Sequence, residues 1–291
     1  MNITATMVKD LRDKTGAGMM DAKKALVETD GDMEKAMEFL RQKGIASADK
    51  KMGRIAAEGT IASVIEGKKA AMVELNCETD FVAKNDDFKE LANMMAKAVL
   101  ELNPKSVEDM LKMECPVCKK PIDDVIKEKI AKIGEKISIR RFVRYDADCC
   151  VNTYIHNGKI GVLLEAKCDT CDETLTKDIC LHIASNAPEF VSRNEIPQSV
   201  IDEEKRIEMG KEDLAKKPVE IREKIVEGRV NKLMAQKCLL EQPFVKNPDL
   251  TIQKLIEGKC QIVRFDRYVL GEGLEKRQDN FAEEVMSQIK G

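Results

Sequence analysis

The sequence predicts an α+β fold, and three observations support that class. Short apolar segments alternate with polar residues in two regions, which is the period-two pattern of strands in hairpins. Other segments carry apolar residues at i, i+3, i+4 and i+7, the pattern of amphipathic helices. The two hairpin regions are also related by a shift of 91 residues, so the chain contains an internal repeat.

The N-terminal region predicts three short helices. The first helix breaks at residues 16–18, where two glycines favour a helix exit. A second helix covers residues 19–28. Asp32 caps a third helix, which we expect to end at Gly44. The charged stretch 48–54 then reads as a linker or a linking helix.

Each copy of the repeat predicts a strand, a glycine turn, a second strand and an amphipathic helix. In the first copy, Ala71, Val73, Leu75 and Cys77 alternate with other residues, which predicts a half-buried strand. The strands are predicted at residues 60–66, 69–77, 151–156 and 159–167. The apolar stripe of the helix after the first hairpin consists of Phe88, Leu91, Ala92, Met95 and Val99.

A highly charged region, residues 197–240, follows the second copy and predicts a projecting antiparallel helical hairpin. Val200, Ile207 and Leu214 recur every seven residues and form a thin apolar seam. The hairpin is interpreted either as solvated and leaning on its parent domain or as a self-association surface. Beyond it, residues 261–269 predict a strand and residues 281–289 an amphipathic helix.

The composition excludes several classes of protein. Charged residues make up 35% of the chain, but the formal net charge is only −3, which argues against a general nucleic-acid binder. No early apolar segment follows a basic start, and no run of 18 apolar residues occurs. We therefore expect no membrane association and a cytoplasmic location.

No catalytic motif is found in the sequence. The two histidines, His156 and His182, belong to no zinc-protease motif or nucleophile elbow. His182 shares a predicted helix with Ile179 and Ile183 and is interpreted as a structural residue. The chain also lacks a phosphate-binding loop and a dinucleotide-binding fingerprint. We therefore expect no enzyme activity, no bound nucleotide and no cofactor.

Ten cysteines are many for a cytoplasmic chain. The pairs Cys115/Cys118 and Cys168/Cys171 have the spacing of thiolates that share a zinc ion. However, the pairs are about fifty residues apart and lack the usual glycines and aromatic residues. A redox site and free thiols are the alternatives, and free thiols without metal are the default expectation. Small core residues are predicted at Cys77, Cys180, Cys238 and Cys260.

Phe81 is the residue that the predicted fold explains least. It follows a strand and precedes a helix, beside Thr79 and Asp80, which are ordinary turn and N-cap residues. The ring could fold back as a hydrophobic staple, or it could be an exposed functional tip. The second copy of the repeat has Cys171 and Asp172 at the corresponding positions. An aromatic ring is therefore not needed to close this unit.

Two long motifs resemble one known family. Residues 11–26 (LRDKTGAGMMDAKKAL) resemble the first signature of the bacterial elongation factor Ts family, and residues 74–84 (ELNCETDFVAK) resemble the second, so the two motifs follow in the family's order. Members of that family are guanine-nucleotide exchange factors of the GTPase elongation factor Tu. Further similar stretches lie at residues 156–162, 227–229, 242–245 and 271–276, so the resemblance spans essentially the whole chain.

The resemblance implies a modular architecture. It implies a three-helix bundle like the ubiquitin-associated fold, a core of two related α+β subdomains with antiparallel strands, a coiled-coil hairpin and a C-terminal helical module. The corresponding boundaries are residues 1–54, 55–140, 141–275 with the hairpin inserted at about 196–240, and 276–291.

The resemblance also implies a function. The chain would bind elongation factor Tu with GDP and accelerate GDP release by disturbing the magnesium and phosphate site, so that GTP can rebind. It would need no cofactor, metal, direct nucleic-acid contact or membrane. The partner-binding residues implied are Thr79, Asp80, Phe81 and Val82 at a magnesium-displacing tip, Val8, Lys9, Arg12, Met19 and Met20 in the N-terminal module, and His156 and Phe281 elsewhere.

Two rival classes of function remain open from the residues alone. A thiol or zinc enzyme would use the paired cysteines and would need no GTPase. An adaptor would bind its partners through the first 45 residues alone.

Overall fold

The computed structural model describes residues 3–214 and 217–275 of the chain. The helices are α1 (Ala5–Thr15), α2 (Met19–Glu28), α3 (Met33–Lys51), α4 (Asp80–Lys84), α5 (Asp86–Leu102), α6 (Val107–Lys112), α7 (Ile122–Ile133), α8 (Glu173–Asn186), α9 (Gln198–Met209), α10 (Val219–Lys237) and α11 (Ile252–Ile256). The strands are β1 (Glu58–Glu66), β2 (Lys69–Cys77), β3 (Ile137–Asp146), β4 (Cys150–His156), β5 (Ile160–Lys167), β6 (Pro243–Phe244), β7 (Asn247–Thr251) and β8 (Gln261–Val269). This mixture of helices and antiparallel strands confirms the α+β class.

The chain divides into two compact units. Unit 1 contains the described residues of Met1–Ala62, Val73–Phe142 and Val269–Gly291. Unit 2 contains the described residues of Ser63–Met72 and Val143–Tyr268. The predicted domain boundaries and the likeness of the first helices to a ubiquitin-associated fold stay predictions. The predicted helix at 281–289 lies outside the described residues.

Helices α1, α2 and α3 pack around one apolar core. Val8, Leu11, Ala22 and Leu26 are buried in it. The break after α1 is where the sequence predicts it, because Gly16 takes the left-handed conformation, with φ of 69°, that caps the helix. The N-cap of α3 also agrees with expectation, since the Asp32 carboxylate accepts hydrogen bonds from two backbone N–H groups of the first turn.

The predicted end of α3 at Gly44 is wrong. The helix continues to Lys51, and Gly44 lies inside it where α3 packs closely against α7. A Cβ atom at position 44 would lie 2.9 Å from the Cβ atom of Ala131. The glycine therefore permits a close approach between two helices and does not terminate one.

The first hairpin consists of β1 and β2, and β3 completes a sheet in the order β1-β2-β3. The strands lie where the alternation predicts them, but the half-buried interpretation of β2 is wrong. All residues of β2 after Lys69 are buried, including Glu74 and Asn76. The Asn76 amide nitrogen donates hydrogen bonds to the Glu58 carbonyl oxygen at 3.2 Å and to the Glu74 carboxylate at 3.3 Å, which offsets part of the cost of burying these polar groups.

Glu74 is the centre of a buried ionic cluster in unit 1. Its carboxylate oxygens accept hydrogen bonds from Arg140 at 2.9 Å, from Arg141 at 2.6 Å and from the backbone N–H of Gly271 at 2.8 Å. Burial alone would raise the pKa of Glu74, but these donors outweigh it and lower the pKa below its ordinary value. Glu74 is therefore charged and ties two neighbouring segments together.

The second hairpin consists of β4 and β5, which pair antiparallel with His156 opposite Ile160. Its turn has positive φ at Asn157 and Gly158, as a tight hairpin requires. Strand β8 pairs beside β5, and α8 packs on the hairpin. Within unit 2 this arrangement repeats the hairpin, third strand and helix of the first copy.

The predicted helical hairpin is formed by α9 and α10. Leu214, Val226, Val230 and Met234 are buried in its own small core, and Val200 packs partly against them. The sequence predicts Ile207 in the seam, but Ile207 is exposed, because its neighbour Glu208 takes the buried position of α9 and accepts a hydrogen bond from Arg229 of α10. Self-association through this hairpin stays a prediction.

His182 is fully buried in α8. Its Nε2 lies 2.8 Å from the amide oxygen of Gln242, and its Nδ1 accepts a hydrogen bond from the backbone N–H of Val245 at 3.2 Å. Burial lowers the pKa of His182, so the neutral ring is favoured. These contacts agree with the structural interpretation, since both ring nitrogens have protein partners.

The cysteines follow the expectation only in part. Cys77, Cys180 and Cys238 are buried, and Cys260 packs half-buried against the core of unit 2. The default of free thiols is wrong for Cys171, which forms a disulfide with Cys150. The fold brings the two residues together, since their Cα atoms lie 5.8 Å apart, within the usual range for a disulfide.

No helix within residues 3–214 and 217–275 has the length and apolar character needed to cross a bilayer.

Candidate functional site

The side chain of Phe81 points into solvent. It lies on the short helix α4, directly after β2, and 81% of its surface is exposed. No residue of α4 is buried. The hydrophobic-staple interpretation is therefore wrong, whereas the cap is real: Thr79 Oγ1 accepts a hydrogen bond from the backbone N–H of Val82. A large exposed aromatic ring on a capped turn suits insertion into an apolar crevice of another molecule.

The base of this turn is fixed by Glu135, between α7 and β3. Its carboxylate accepts hydrogen bonds from the backbone N–H groups of Glu78 and Thr79, at 3.1 and 3.0 Å, and from the Thr79 hydroxyl at 2.6 Å. The Glu78 carboxylate in turn accepts a hydrogen bond from the backbone N–H of Lys136 at 2.6 Å. The segment before the ring is therefore held on both sides, although the ring itself makes no core contact.

Cys77 is a buried residue that contacts the base of the turn. Its thiol donates a hydrogen bond to the carbonyl oxygen of Thr79 at 3.1 Å. Burial raises the pKa of Cys77 to about 12, and the negative charge of Glu135 adds to this effect. Cys77 is therefore a protonated, structural thiol.

Lys84 accompanies the ring on the surface of α4. Its Nζ lies 2.6 Å from an Asp80 carboxylate oxygen and 5.9 Å from the centre of the Phe81 ring. An exposed ion pair at i,i+4 stabilises a helix by only about 0.3–0.5 kcal/mol. The contribution of Lys84 and Asp80 to folding is therefore small, and their charges flank the ring where a partner would meet them.

The N-terminal helices expose two methionines. Met19 and Met20 begin α2, and their side chains are 47% and 76% exposed. Lys9 is exposed too, and the Arg12 guanidinium pairs with Asp13 at 2.7 Å. Val8, in contrast, is only 6% exposed and packs inside the helix core. Of the five N-terminal residues predicted to bind a partner, Val8 offers the least surface.

His156 and Phe281 complete the predicted set. His156 ends β4 in unit 2, where it is exposed and its Nδ1 lies 3.1 Å from the hydroxyl of Tyr154. Tyr154 and His156 also stack, with ring centroids 6.1 Å apart. Phe281 lies outside the described residues.

Sequence reasoning missed the residues that support the turn. Glu135 is 56 positions from Thr79, and no local pattern joins them. It also missed a cluster of cysteines: among the residues that the structure describes, the sulfur atoms of Cys150, Cys168 and Cys171 lie within 4.8 Å of one another, and Cys150 and Cys171 are joined as a disulfide. The doublet at 149–150, followed by the Cys168/Cys171 pair, was the available signal.

Comparison with known proteins gives consistent matches. The family model described as Elongation factor TS matches residues 78–272, more than half of the chain. Three curated relatives are named Elongation factor Ts. The relative from Alkalilimnicola ehrlichii is 47% identical over 295 residues, and that from Thioalkalivibrio sulfidiphilus is 47% identical over 296, each alignment covering 100% of both chains. The relative from Methylococcus capsulatus is 48% identical over 294 residues, which cover 100% of this chain and 99% of the relative.

Proposed function

Because the chain belongs to the elongation factor Ts family, we propose that it binds elongation factor Tu in its GDP form and accelerates GDP release, so that GTP can rebind. The observation that carries this proposal is the full-length similarity to three relatives of that name, between 47% and 48% identity. The exposed Phe81 on its fixed turn supplies a group that could act on a partner. The chain acts as an exchange factor and carries out no bond chemistry of its own.

The proposed mechanism disturbs the magnesium and phosphate site of the GTPase. Nucleotide affinity in such proteins rests on backbone amides that cradle the phosphates and on a magnesium ion that bridges phosphate and protein. The tip formed by Thr79, Asp80, Phe81 and Val82 enters a crevice between the switch-region helices. It displaces the groups that support the ion, and the nucleotide dissociates faster.

The energetics limit what the ring alone can do. If the factor weakens GDP binding by ~10⁴, GDP weakens binding of the factor equally, a coupling of about 5.5 kcal/mol. Full burial of a Phe side chain supplies only about 1.5–3 kcal/mol. A nanomolar interface supplies about 12 kcal/mol, which is sufficient. Phe81 therefore directs the coupling, and other contacts provide most of its energy.

The N-terminal module supplies part of that contact surface in this proposal. Met19 and Met20 dock against a helix of the nucleotide-binding domain, because flexible thioether side chains adapt to irregular surfaces. Lys9 and Arg12 add charged contacts at the rim. Val8 supports this surface from inside the helix core. His156, at the turn of the second hairpin, and Phe281 add further contacts.

The test is a stopped-flow measurement of labelled GDP release from elongation factor Tu, with and without the chain. We expect strong acceleration that saturates with the concentration of the chain. Val117→Ala is a suitable control variant, since Val117 is an exposed apolar residue outside the proposed surface. No acceleration by the wild-type chain would rule out the proposed function.

A further inference from the structure

Four cysteines meet at the open end of the second hairpin. Cys149 precedes β4, Cys150 begins it, Cys168 follows the end of β5, and Cys171 precedes α8. The pairing of β4 with β5 brings these ends together, since Cys150 is opposite Ala166. The segment at the start of the hairpin and the segment after it therefore each contribute two cysteines to this end of the hairpin.

The sulfur atoms have the spacing of a metal site. The Sγ atoms of Cys150, Cys168 and Cys171 all lie within 4.8 Å of one another. The Sγ atom of Cys149 lies 3.8 Å from that of Cys168. Cys149 is not within 4.8 Å of all three of the other sulfurs, so it becomes the fourth ligand only after the disulfide has opened and the sulfurs rearrange. In a tetrahedral zinc site with Zn–S bonds of about 2.3 Å, neighbouring sulfurs are about 3.8 Å apart. The separation of Cys149 and Cys168 matches that edge.

We propose that Cys149, Cys150, Cys168 and Cys171 form a tetrahedral Zn²⁺ site in the reduced protein. A small-molecule thiol reductant first opens the Cys150–Cys171 disulfide: two reductant thiols become one disulfide, and Cys150 and Cys171 become two thiols. The four thiols then bind Zn²⁺ as thiolates and release their protons to solvent. No electron is transferred in the binding step.

Cys149 has hydrogen-bond partners on Cys168. Its thiol donates a hydrogen bond to the carbonyl oxygen of Cys168 at 2.7 Å, and this proton is released when Zn²⁺ binds. The backbone N–H of Cys168 donates a hydrogen bond to Sγ of Cys149 at 3.4 Å, so one ligand residue orients the sulfur of another. Cys149 lies at a bend before β4, where the alternation of strand side chains does not apply. Lys68 donates a hydrogen bond to the carbonyl oxygen of Asp148, the residue before Cys149. Four thiolates and Zn²⁺ carry a net negative charge, which this lysine partly offsets.

The other thiol pair makes a matched comparison. Cys115 and Cys118 have the same two-residue spacing but lie in unit 1, whereas the four clustered cysteines lie in unit 2. Within the described ranges, Cys115 and Cys118 belong to no group of three metal ligands. Cys118 instead contacts the Met94 sulfur at 3.6 Å. The sequence spacing is thus the same, but only one pair has further thiols beside it.

The repeat suggests what the ion does. With the shift of 91 residues, Cys171 and Asp172 correspond to Asp80 and Phe81 of the first copy. The first copy fixes this end of its hairpin through Glu135 and exposes a ring there. In the second copy, the metal ion would hold the open end of the hairpin to the start of α8. Its ligand Cys171 directly precedes Asp172, whose carboxylate accepts a hydrogen bond from the backbone N–H of Leu175 and caps that helix.

The test measures metal in the full-length chain, independently of nucleotide exchange. The protein is expressed with added zinc and purified without oxygen, using a phosphine reductant and no chelator. Metal is quantified by mass spectrometry. We expect about one zinc ion per chain. We expect the same from Cys115→Ser/Cys118→Ser, and at least about tenfold less from Cys168→Ser/Cys171→Ser.

Two results would overturn the site. One is wild-type protein with its thiols reduced and less than about a tenth of an equivalent of zinc; the other is equal loss of zinc in both double variants. If Cys168→Ser/Cys171→Ser does not fold, Co²⁺ replaces zinc in the wild type and in Cys115→Ser/Cys118→Ser. The intense absorption of tetrahedral cobalt with four thiolates is expected in both proteins, and its absence would refute the proposal.

Discussion

The carboxylate of Glu135 holds Thr79 through both of its oxygens. One accepts a hydrogen bond from the Thr79 hydroxyl at 2.6 Å, and the other from the Thr79 backbone N–H at 3.0 Å. Thr79 is also the N-cap of the helix that carries Phe81. The position of an exposed ring is thus set by a partly buried hydrogen-bond network behind it.

Replacing Phe81 separates binding from folding. Phe81→Ala should slow GDP release from elongation factor Tu by about one to two orders of magnitude and change the unfolding free energy by less than about 1 kcal/mol, because the ring is exposed. The matched control is Phe88→Ala, which removes the fully buried ring of α5 and should cost about 3–5 kcal/mol. Stopped-flow release and thermal unfolding measure the two effects. A large loss of melting temperature in Phe81→Ala would contradict the exposed position.

Glu135 should act through the position of the ring. Glu135→Gln weakens the hydrogen bonds to Glu78 and Thr79, and we expect a loss of about 1–3 kcal/mol in unfolding free energy together with slower exchange. Combined with Phe81→Ala, it should slow exchange little further, because the ring it positions is already absent. Glu128→Gln, on the neighbouring helix α7, is the control for exchange. Additive effects of Glu135→Gln and Phe81→Ala on the release rate would show that Glu135 has an independent role.

The buried carboxylate of Glu74 should make stability depend on acid pH. Its pKa is lowered in the folded state, so its contribution is complete above the unfolded-state pKa of about 4.3 and is lost as pH falls through the folded-state pKa. Glu74→Gln should lose about 3–5 kcal/mol at neutral pH and flatten the acid side of the stability profile. Glu272→Gln removes a half-exposed carboxylate 3.4 Å from the same Arg141 and should change little. Urea unfolding between pH 3 and 7 distinguishes them, and parallel profiles of wild type and Glu74→Gln would contradict this role.

Two helical glycines should respond oppositely to alanine. Gly228→Ala in α10 should stabilise the chain by about 1 kcal/mol, because nothing lies within 4 Å of the added Cβ atom. Gly44→Ala should instead destabilise it by about 1–3 kcal/mol, because the new Cβ atom would lie 2.9 Å from that of Ala131. Chemical denaturation measures both changes. A gain in stability for Gly44→Ala would mean that α3 and α7 can move apart at little cost.

Local patterns in the sequence predicted the elements well. The strand alternation placed both hairpins, and the stripe from Phe88 to Val99 placed the buried face of α5. The errors at Gly44, at Cys171 and in the burial of β2 have one cause: each is explained by a contact with another segment of the chain. A glycine that ends a helix and one that lets two helices meet look the same in sequence.

In the candidate site, too, local sequence predicted some features, and contacts between distant segments determined the others. Phe81 was identifiable because the second copy of the repeat lacks an aromatic ring at its position. Its exposure and its support could not be read from local sequence, since Glu135 is 56 positions away from Thr79. Val8 and Met19 illustrate the limit on the N-terminal module. Both are apolar helix residues, and only their packing separates a core residue from a surface residue.

The complete absence of buried residues in α4 has a consequence for inhibition. A chain with an altered tip would fold normally and keep its other contact surfaces. On the proposed function, it would still occupy elongation factor Tu but would release the nucleotide slowly. Such a variant would compete with the intact factor for its partner, so added in excess to a translating extract it should act as a dominant inhibitor of elongation.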